Sequence, residues 1–292
     1  MTGNFRPNGI ITLLTDFGEQ DYYVPAMKGA MLRVCPSLQI VDAGHQVPPQ
    51  GVAAAAYLLA NYAMEFPAGT VHVVAPDPGV GSSRKVLVAR LGGWLVVGPD
   101  NGFVSPVTMA YMRAVMQTDG SPAGRRARLS GLDVSPEDLV PQFRSADVDA
   151  SGCGEASATF HGRDVFAPLA ARLACGDLAF REVGPLFEHV VLPEPRAAAG
   201  RGRLAGEVIH VDRFGNLVTS IRAERLAGRI PRCLEIGDVR VERFVRTYSD
   251  EAAGTLVFLV GSGGDLEISE VCGNAAARLG VSAGAPVLCL LR

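Results

Sequence analysis

The stretch from Val71 to Arg84 decides the fold of this chain, and it reads VHVVAPDPGVGSSR. Its first half is an apolar run of the kind that forms a buried strand. Asp77 follows this strand, and two glycines lie between Asp77 and Arg84. Ligands of open α/β sheets bind beyond the carboxyl ends of the strands, so the stretch predicts an α/β protein that presents charged groups to a ligand. A tight turn with a solvated arginine is the alternative.

Composition favours a soluble globular enzyme with one large or two medium domains. The chain has 292 residues, of which 48% are hydrophobic and 20% charged, and its formal net charge is −3. This balance favours neither nucleic acid nor an anionic membrane as a partner. No apolar run approaches the roughly 20 residues that span a bilayer. Residues 1–8 lack a signal-peptide core.

The spacing of the cysteines and histidines does not favour a metal centre, although aspartates and histidines that could bind a metal are present. The six cysteines are scattered without a C-x-x-C pair, which argues against a zinc knuckle or a disulfide scaffold and fits a reducing cytoplasm. No segment has metal-ligand spacing. We therefore expect a cytoplasmic protein without a bound metal.

Strand and helix patterns alternate through the first two thirds of the chain. The predicted strands are 10–15, 38–41, 71–75, 86–89 and 94–97. The predicted helices are 24–35, 52–64 and 164–175, and the polar region 117–154 is predicted to be a long surface excursion. The alternation predicts an α/β domain over residues 1–192, with a mainly parallel sheet flanked by helices.

The pattern changes after residues 193–203, whose proline, glycine and alanine content predicts a linker. Short strands separated by turns follow, and helix signal is confined to residues 274–279. The predicted strands are 206–211, 217–221, 234–236, 239–241, 255–260 and 287–291. We predict a smaller antiparallel β-barrel domain over residues 204–292.

Polar side chains recur at the ends of the predicted strands. Asp16 ends the first strand, where a carboxylate can accept two hydrogen bonds from a ribose diol, whereas Asp21 also fits a helix N-cap. Asp100 and Asn101 follow another strand, and they either line the same crevice or form an Asn-Gly turn. These positions predict one ligand crevice at the edge of the sheet.

Two later segments also place polar side chains next to predicted strands or helices. His161 stands just before a predicted helix and beside Gly162, where a structural and a catalytic role are equally open. Asp212 and Asn216 lie between two predicted strands. They form either a hairpin turn or a site for an ammonium group and a purine edge.

Taken in order, these segments resemble one family, the S-adenosyl-L-methionine hydroxide adenosyltransferases, which are related to fluorinating and chlorinating enzymes. The resemblance extends over nearly the whole chain, and each matching piece alone is short. The matching stretches are 14–18, 27–29, 66–72, 77–84, 99–102, 159–164, 212–216, 266–268 and 274–276.

The resemblance implies the reaction of S-adenosyl-L-methionine with water to give adenosine and L-methionine, without a cofactor. It implies that Asp77, Arg84 and His161 activate the water. It also implies a two-domain protein that assembles as a homotrimer, with active sites between neighbouring subunits.

Substrate contacts are implied at further positions of this chain. Asp16 corresponds to the ribose-binding residue, Asp21 and Asp212 to the carboxylates around the methionine amine, and Asn216 to the adenine-binding residue. Residues 262–267 match the region that holds the methionine tail and the base. The full set of expected substrate-binding residues is Asp16, Asp21, Asp100, Asn101, Asp212, Phe214, Asn216, Ser262, Glu267 and Ala275.

Two alternatives use the same scaffold. A halide adenosyltransferase would make a 5′-halo-5′-deoxyadenosine, but a halide needs no base, which disfavours this alternative because the Asp77, Arg84 and His161 set is present. A non-catalytic nucleoside or S-adenosylmethionine sensor is disfavoured for the same reason. A metal-dependent hydrolase is the remaining possibility.

Overall fold

The structure is a computed structural model that describes residues 5–116, 139–146, 156–195, 198–200 and 202–292. The chain forms two compact units, Met1–Leu192 and Pro193–Arg292. Within these described ranges, no helix is both long enough and apolar enough to cross a bilayer.

The first unit is built on a six-stranded mixed sheet in the order β2-β1-β3-β5-β4-β6. Its strands are β1 Ile10–Leu14, β2 Gln39–Gly44, β3 Val71–Val74, β4 Val86–Leu91, β5 Trp94–Pro99 and β6 Gln142–Ala146. The first four strands in this order are mutually parallel, and β4 is antiparallel to both of its neighbours. The reversal arises at Gly92 and Gly93, a two-residue hairpin with Gly92 at a φ of 57°. The predicted α/β class is confirmed, with β4 as the exception to a parallel sheet.

Helices cover both faces of this sheet. They are α1 Tyr23–Val34, α2 Val52–Tyr62, α3 Val104–Met116 and α4 Ala167–Cys175. Because side chains alternate along a strand, Val73 packs beneath α1 and α4 while its neighbour Val74 packs beneath α2 and α3. The chain passes from β1 through α1 to β2, then returns through α2 to β3 on the other side of β1. The strand order therefore reverses between β1 and β3, and this switch point is where α/β sheets bind ligands.

Two predictions for this unit were incomplete or wrong. Helix α3 was not predicted, although Val104, Val107 and Tyr111 are buried at helical spacing. Within the predicted excursion 117–154, residues 142–146 form strand β6 on the edge of the sheet. This strand carries little apolar signal because an edge strand is only partly buried. The rest of that predicted excursion lies outside the described residues.

The second unit is an antiparallel sheet that nearly closes into a barrel, in the order β11-β10-β14-β8-β9-β13-β12, with β7 paired to β8. This confirms the predicted barrel-like class. Its strands are β7 Ala198–Gly200, β8 Arg203–Val211, β9 Leu217–Arg222, β10 Pro231–Ile236, β11 Val239–Val241, β12 Leu256–Val260, β13 Asp265–Glu270 and β14 Pro286–Leu291. A short helix, α5 Ala275–Leu279, precedes β14.

Two strands of the barrel were not predicted. Strand β7 lies within residues 193–203, which were predicted as a linker. Strand β13 alternates Leu266 and Ile268 with polar residues, and its side chains from Asp265 to Ser269 are all buried. Asp265, Glu267 and Ser269 share one face of this strand, and because all three are polar the sequence did not suggest that this face is buried.

Candidate active site

The carboxyl ends of the parallel strands place several polar side chains at one edge of the sheet. Asp16 lies two residues beyond β1, Asp77 three residues beyond β3, and Asp100 directly beyond β5. Strands β1 and β3 are hydrogen-bonded neighbours at the switch point. The sequence prediction of a single polar edge therefore agrees with the topology of the sheet.

Asp77 and Arg84 form a two-pronged ion pair across the loop that separates them. Nε of Arg84 donates to Oδ1 of Asp77 at 2.6 Å, and Nη2 donates to Oδ2. The Arg84 and Asp77 side chains are only 10% and 6% exposed. A planar guanidinium on a carboxylate fixes direction as well as distance. The arginine is thus held in one orientation in a nearly enclosed position.

The backbone of the loop between them supports this geometry. The N–H of Gly79 donates to Oδ1 of Asp77 at 3.1 Å. Gly81 has a φ of 78°, and a Cβ there would collide with the carbonyl oxygen of Ala158. Glycine therefore lets the loop lie against the segment that leads to His161.

His161 completes the cluster from a distant part of the chain. Its Nδ1 lies 3.1 Å from Nη2 of Arg84. A guanidinium only donates hydrogen bonds, so Nδ1 accepts and the proton of the neutral ring is assigned to Nε2. Burial and the positive charge of Arg84 lower the pKa of His161 below its ordinary value, although Asp77 and Asp164 act in the opposite direction. The imidazole is therefore neutral near pH 7.

The short helical segment after His161 explains its position. The ring precedes a wide turn, Gly162–Phe166, that leads into α4. A Cβ at Gly162 would lie 3.1 Å from the sulfur of Met27 on α1, so a small residue is needed where the turn meets that helix. Arg84 also lies over the ring of Phe166, with Cζ 5.3 Å from the ring centroid. The cluster is thus anchored to the α1/α4 face of the sheet.

Asp77, Arg84 and His161 together combine one anion, one fixed cation and one neutral base. The positive guanidinium can stabilise a negative charge that develops beside it. The imidazole has one lone pair that can take a proton near neutral pH. A site of this kind can hold a water molecule and remove its proton.

Asp16 and Asp21 are both accessible, but they are held differently. Oδ2 of Asp16 accepts from the backbone N–H of Gln50 at 2.7 Å, and Gln50 has the unusual φ of 60°. Asp21 is exposed and stands just before α1. The N-cap position of α1 is Tyr22, whose side chain makes no capping bond. Asp21 is therefore not the N-cap of this helix.

Asp100 and Asn101 bind the backbone of neighbouring segments. Oδ1 of Asp100 accepts from the N–H of Val190 at 2.8 Å. Nδ2 of Asn101 donates to the carbonyl of Pro76 at 3.0 Å, and its Oδ1 accepts from the N–H of Phe103 at 3.3 Å. Asn101 thus ties the end of β5 to the residue just before Asp77.

A chain of polar side chains supports the end of β1, and sequence reasoning did not assemble it. Nζ of Lys28 lies 2.6 Å from Asp42, whose other oxygen lies 3.0 Å from Nε2 of His45. Nδ1 of His45 lies 3.0 Å from Oγ1 of Thr15. The signal was a histidine directly after the carboxyl end of β2. This chain fixes the backbone that carries Asp16.

In the second unit, Asp212 and Asn216 lie together within one turn. Oδ1 of Asp212 accepts from the backbone N–H groups of Phe214 and Asn216 at 2.9 and 2.8 Å. Oδ2 accepts from Nδ2 of Asn216 at 2.9 Å. Gly215 has a φ of 85°, and a Cβ there would collide with the side chain of Asn274. The ring of Phe214 projects from this turn and is 74% exposed.

The other predicted barrel residues differ in accessibility. Ser262 is exposed. Glu267 is buried, and its Oε1 accepts from the hydroxyls of Tyr248 at 2.6 Å and Ser269 at 2.9 Å. Ala275 begins α5 and is completely buried.

The described residues contain no group of three histidine, cysteine or acidic side chains arranged to hold a metal ion.

The α/β unit carries the cluster of Asp77, Arg84 and His161 at its switch point, and an antiparallel barrel follows it in the chain. These features define a class of two-unit protein. Residues 11–184 match the family described as SAM hydroxide adenosyltransferase N-terminal domain, and residues 206–288 match the corresponding C-terminal domain. The chain belongs to the SAM hydroxide adenosyltransferase family.

The chain is similar in sequence or in structure to proteins from several organisms. A protein of Thermus thermophilus named (R)-S-adenosyl-L-methionine hydrolase is 36% identical over 95% of this chain and 98% of its own length. A fluorinase of an Actinoplanes species is 25% identical over 73% of this chain and 72% of its own length. A crystal structure of an uncharacterised conserved protein from Thermotoga maritima matches with a TM-score of 0.78 and 28% identity, covering 96% of this chain and 99% of that one.

Proposed function

We propose that this protein hydrolyses S-adenosyl-L-methionine to adenosine and L-methionine, by attack of an activated water at the C5′ carbon. The observation that carries the proposal is the enclosed cluster of Asp77, Arg84 and His161 at the switch point of the sheet. The similarity to a protein named for this hydrolysis supports it, since that similarity extends over 95% of the chain. The similarity to fluorinases is lower.

The chemistry explains why a water-activating cluster is the main requirement. The leaving group is the neutral thioether of methionine, so no general acid is needed to protonate it. Bulk water has a pKa near 15.7 and is a weak nucleophile. The protein must therefore hold one water in line with C5′ and take a proton from it. Because hydroxide and sulfonium neutralise each other as they react, an enclosed pocket favours the transition state.

His161 is the proposed acceptor of that proton. Its one acceptor lone pair is on Nδ1, where it accepts from Nη2 of Arg84. A water that donates to Nδ1 must take the place of this hydrogen bond beside the guanidinium, and this places positive charge next to the hydroxide as it forms. The lowered pKa of His161 keeps the ring in the neutral form that can accept the proton.

Arg84 and Asp77 have complementary roles in this proposal. Arg84 supplies the charge that stabilises the hydroxide, and Asp77 holds the guanidinium in place through both oxygens. Asp77 already accepts three hydrogen bonds, including one from the N–H of Gly79. We therefore assign Asp77 to orientation and His161 to proton transfer.

The proposed substrate contacts rest on the family resemblance and on the exposure of the side chains. Asp16 accepts hydrogen bonds from the ribose diol, and Asp21 and Asp212 surround the methionine ammonium. Phe214 offers an exposed ring face to the adenine, beside Asn216.

Further proposed contacts lie in the region 262–267, where exposed Ser262 and buried Glu267 bind the methionine tail. Asp100 and Asn101 act mainly by fixing the crevice wall, since their side chains bind backbone groups. Ala275 contributes through its backbone alone.

The oligomeric state, the absence of a cofactor and the cellular location are also proposals. We infer a homotrimer whose active sites form between subunits, with S-adenosyl-L-methionine as a small-molecule substrate and no metal or cofactor. The uncharged leaving group supports the last point, because it removes the need for a Lewis acid at sulfur. Free thiols, including Cys35 and Cys175, fit a cytoplasmic location.

Product analysis separates this proposal from its two competitors. The protein is incubated with S-adenosyl-L-methionine in the presence and absence of chloride and fluoride, and the nucleosides are separated by chromatography. We expect adenosine and methionine at a rate that does not depend on halide. A 5′-halo-5′-deoxyadenosine would establish the halide transferase instead, and binding without any product would establish a sensor.

A further inference from the structure

Two cysteines stand at the ends of helices that pack against each other. Cys35 caps the C-terminus of α1, where its N–H donates to the carbonyl of Met31 at 3.1 Å. Cys175 is the last residue of α4 and is followed by Gly176 at a φ of 87°. Both side chains pack against the same hydrophobic cluster.

The backbone of Gly9 joins the two helix ends, since its N–H donates to the carbonyl of Ala174 at 3.2 Å and its carbonyl accepts from the N–H of Gln39 at 2.9 Å. The ends that carry Cys35 and Cys175 are therefore neighbours.

The surroundings of the two thiols are partly open. Both cysteines are half-buried and reduced in the structure. Sγ of Cys35 lies 3.3 Å from the hydroxyl of Ser37. Sγ of Cys175 donates to the carbonyl of Arg172 at 3.6 Å. The two thiols also affect each other's pKa. A small oxidant can reach these sulfurs without unfolding of the unit.

The two thiols are not equivalent. Hydrogen bonds from Ser37 lower the pKa of the Cys35 thiol, and the Cys175 thiol acts in the same direction. Burial raises the pKa of the Cys175 thiol. Because the thiolate is the reactive form, Cys35 is the nucleophile of the pair and Cys175 its protonated neighbour.

A second pair of cysteines provides an internal contrast. Cys233 on β10 and Cys289 on β14 lie on adjacent, hydrogen-bonded strands, and both are completely buried in the barrel. Burial raises the pKa of both thiols, that of Cys289 to about 11. These two cysteines behave as small apolar core residues.

We propose that Cys35 and Cys175 form a redox-responsive pair that a hydroperoxide converts into an intramolecular disulfide between the C-terminal ends of α1 and α4. The Cys35 thiolate attacks the peroxide O–O bond, giving a sulfenic acid and hydroxide, which takes up the proton that Cys35 released. The Cys175 sulfur then attacks the sulfenic sulfur, forming the S–S bond and releasing water. Two thiols and one hydrogen peroxide thus give one disulfide and two waters.

The disulfide would stabilise the packing of α1 against α4 more than it would change the polar edge of the sheet. Helix α1 has 12 residues, and at 1.5 Å per residue this is about 18 Å. Asp21 precedes its N-terminal end, whereas Cys35 closes its C-terminal end. The cross-link also closes a long loop of the unfolded chain. We therefore expect a rise in thermal stability that a thiol reductant reverses.

Peptide mapping of the full chain tests the proposal. The folded protein is treated with hydrogen peroxide, the remaining thiols are alkylated, and the digest is analysed by mass spectrometry without reduction. We expect a peptide linked through Cys35 and Cys175 and a melting temperature higher by roughly 5 °C or more. Cys233 and Cys289 should remain reduced while the protein is folded.

Single variants separate the two roles. In Cys175→Ser, peroxide should leave a sulfenic acid on Cys35 that a dimedone probe traps, whereas Cys35→Ser should show no such product at Cys175. The matched control Cys233→Ala should still form the Cys35–Cys175 link. The proposal is overturned if both thiols are alkylated after peroxide treatment, or if Cys35 links to a different cysteine.

Discussion

The edge of the N-terminal sheet and the Asp212–Asn216 turn of the barrel both place an aspartate near a glycine, but the two carboxylates have different partners. Asp77 binds the side chain of Arg84, which also donates to His161, 77 residues further along the chain. Asp212 binds N–H groups of its own turn and the side chain of Asn216. Asp77 is thus linked through Arg84 to a histidine from a distant part of the chain, whereas Asp212 mainly holds its own turn together.

Of the substitutions that test this comparison, loss of the Arg84 guanidinium should have the largest effect on activity. Arg84→Ala removes the charge beside the proposed hydroxide and leaves Asp77 without its main partner, so we expect kcat to fall by roughly 10³-fold. Steady-state assays of adenosine release measure this. Arg240→Ala, which breaks an exposed ion pair with Glu235 on the barrel, is the matched control and should retain nearly full activity.

Removal of the imidazole should be the next largest effect. His161→Ala takes away the proposed proton acceptor, and kcat should fall by about 10²-fold or more. A rate close to that of the wild type would remove His161 from the mechanism.

The pH dependence gives a separate test of His161. The ring must be neutral to accept a proton, so activity should be retained above its pKa and lost as the pH falls through it. Because burial and Arg84 lower this pKa, the acidic limb of the kcat profile should lie below the ordinary histidine value of about 6.5. A limb above that value would contradict the described environment of the ring.

A substitution in the Asp212–Asn216 turn of the barrel should mainly lower the free energy of unfolding. Asp212→Ala removes three hydrogen bonds and leaves two backbone N–H groups of the turn without a partner. We expect the free energy of unfolding to fall by about 2 kcal/mol, measured by chemical denaturation. If the proposed contact with the ammonium is also present, KM should rise with a much smaller change in kcat. An unchanged denaturation midpoint would show that the turn does not depend on this carboxylate.

Asn101 should give the smallest effect. Its amide ties the end of β5 to the carbonyl of Pro76, so Asn101→Ala should cost about 1 kcal/mol of stability. Because Pro76 precedes Asp77, kcat should decrease modestly. A loss of activity as large as that of Arg84→Ala would instead place Asn101 in direct contact with the substrate.

The sequence revealed much of the sheet edge because its signals are local. An apolar strand followed by an aspartate identifies Asp16 and Asp77, and strand–helix alternation brings their strands together. Strand β6 was missed because an edge strand is only partly buried and carries few apolar residues. Strand β13 was missed because Leu266 and Ile268 are its only apolar residues, although they alternate with polar ones.

Other parts of the site depend on geometry that no local pattern carries. The contact between Arg84 and His161 requires Gly81 to lie against Ala158, which only the folded chain shows. The same holds for the chain of Asp42, His45 and Thr15. In the barrel, the sequence placed Asp212 and Asn216 in one segment but did not show that they bind each other.

The position of a heavy-oxygen label tests the central claim most directly. The protein is incubated with S-adenosyl-L-methionine in ¹⁸O-labelled water, and both products are analysed by mass spectrometry. Activation of water at the Asp77, Arg84 and His161 cluster predicts one label in the 5′-hydroxyl of adenosine and none in methionine. Label in the amino-acid product, or release of free adenine, would show that the attack occurs at another carbon and would contradict the account.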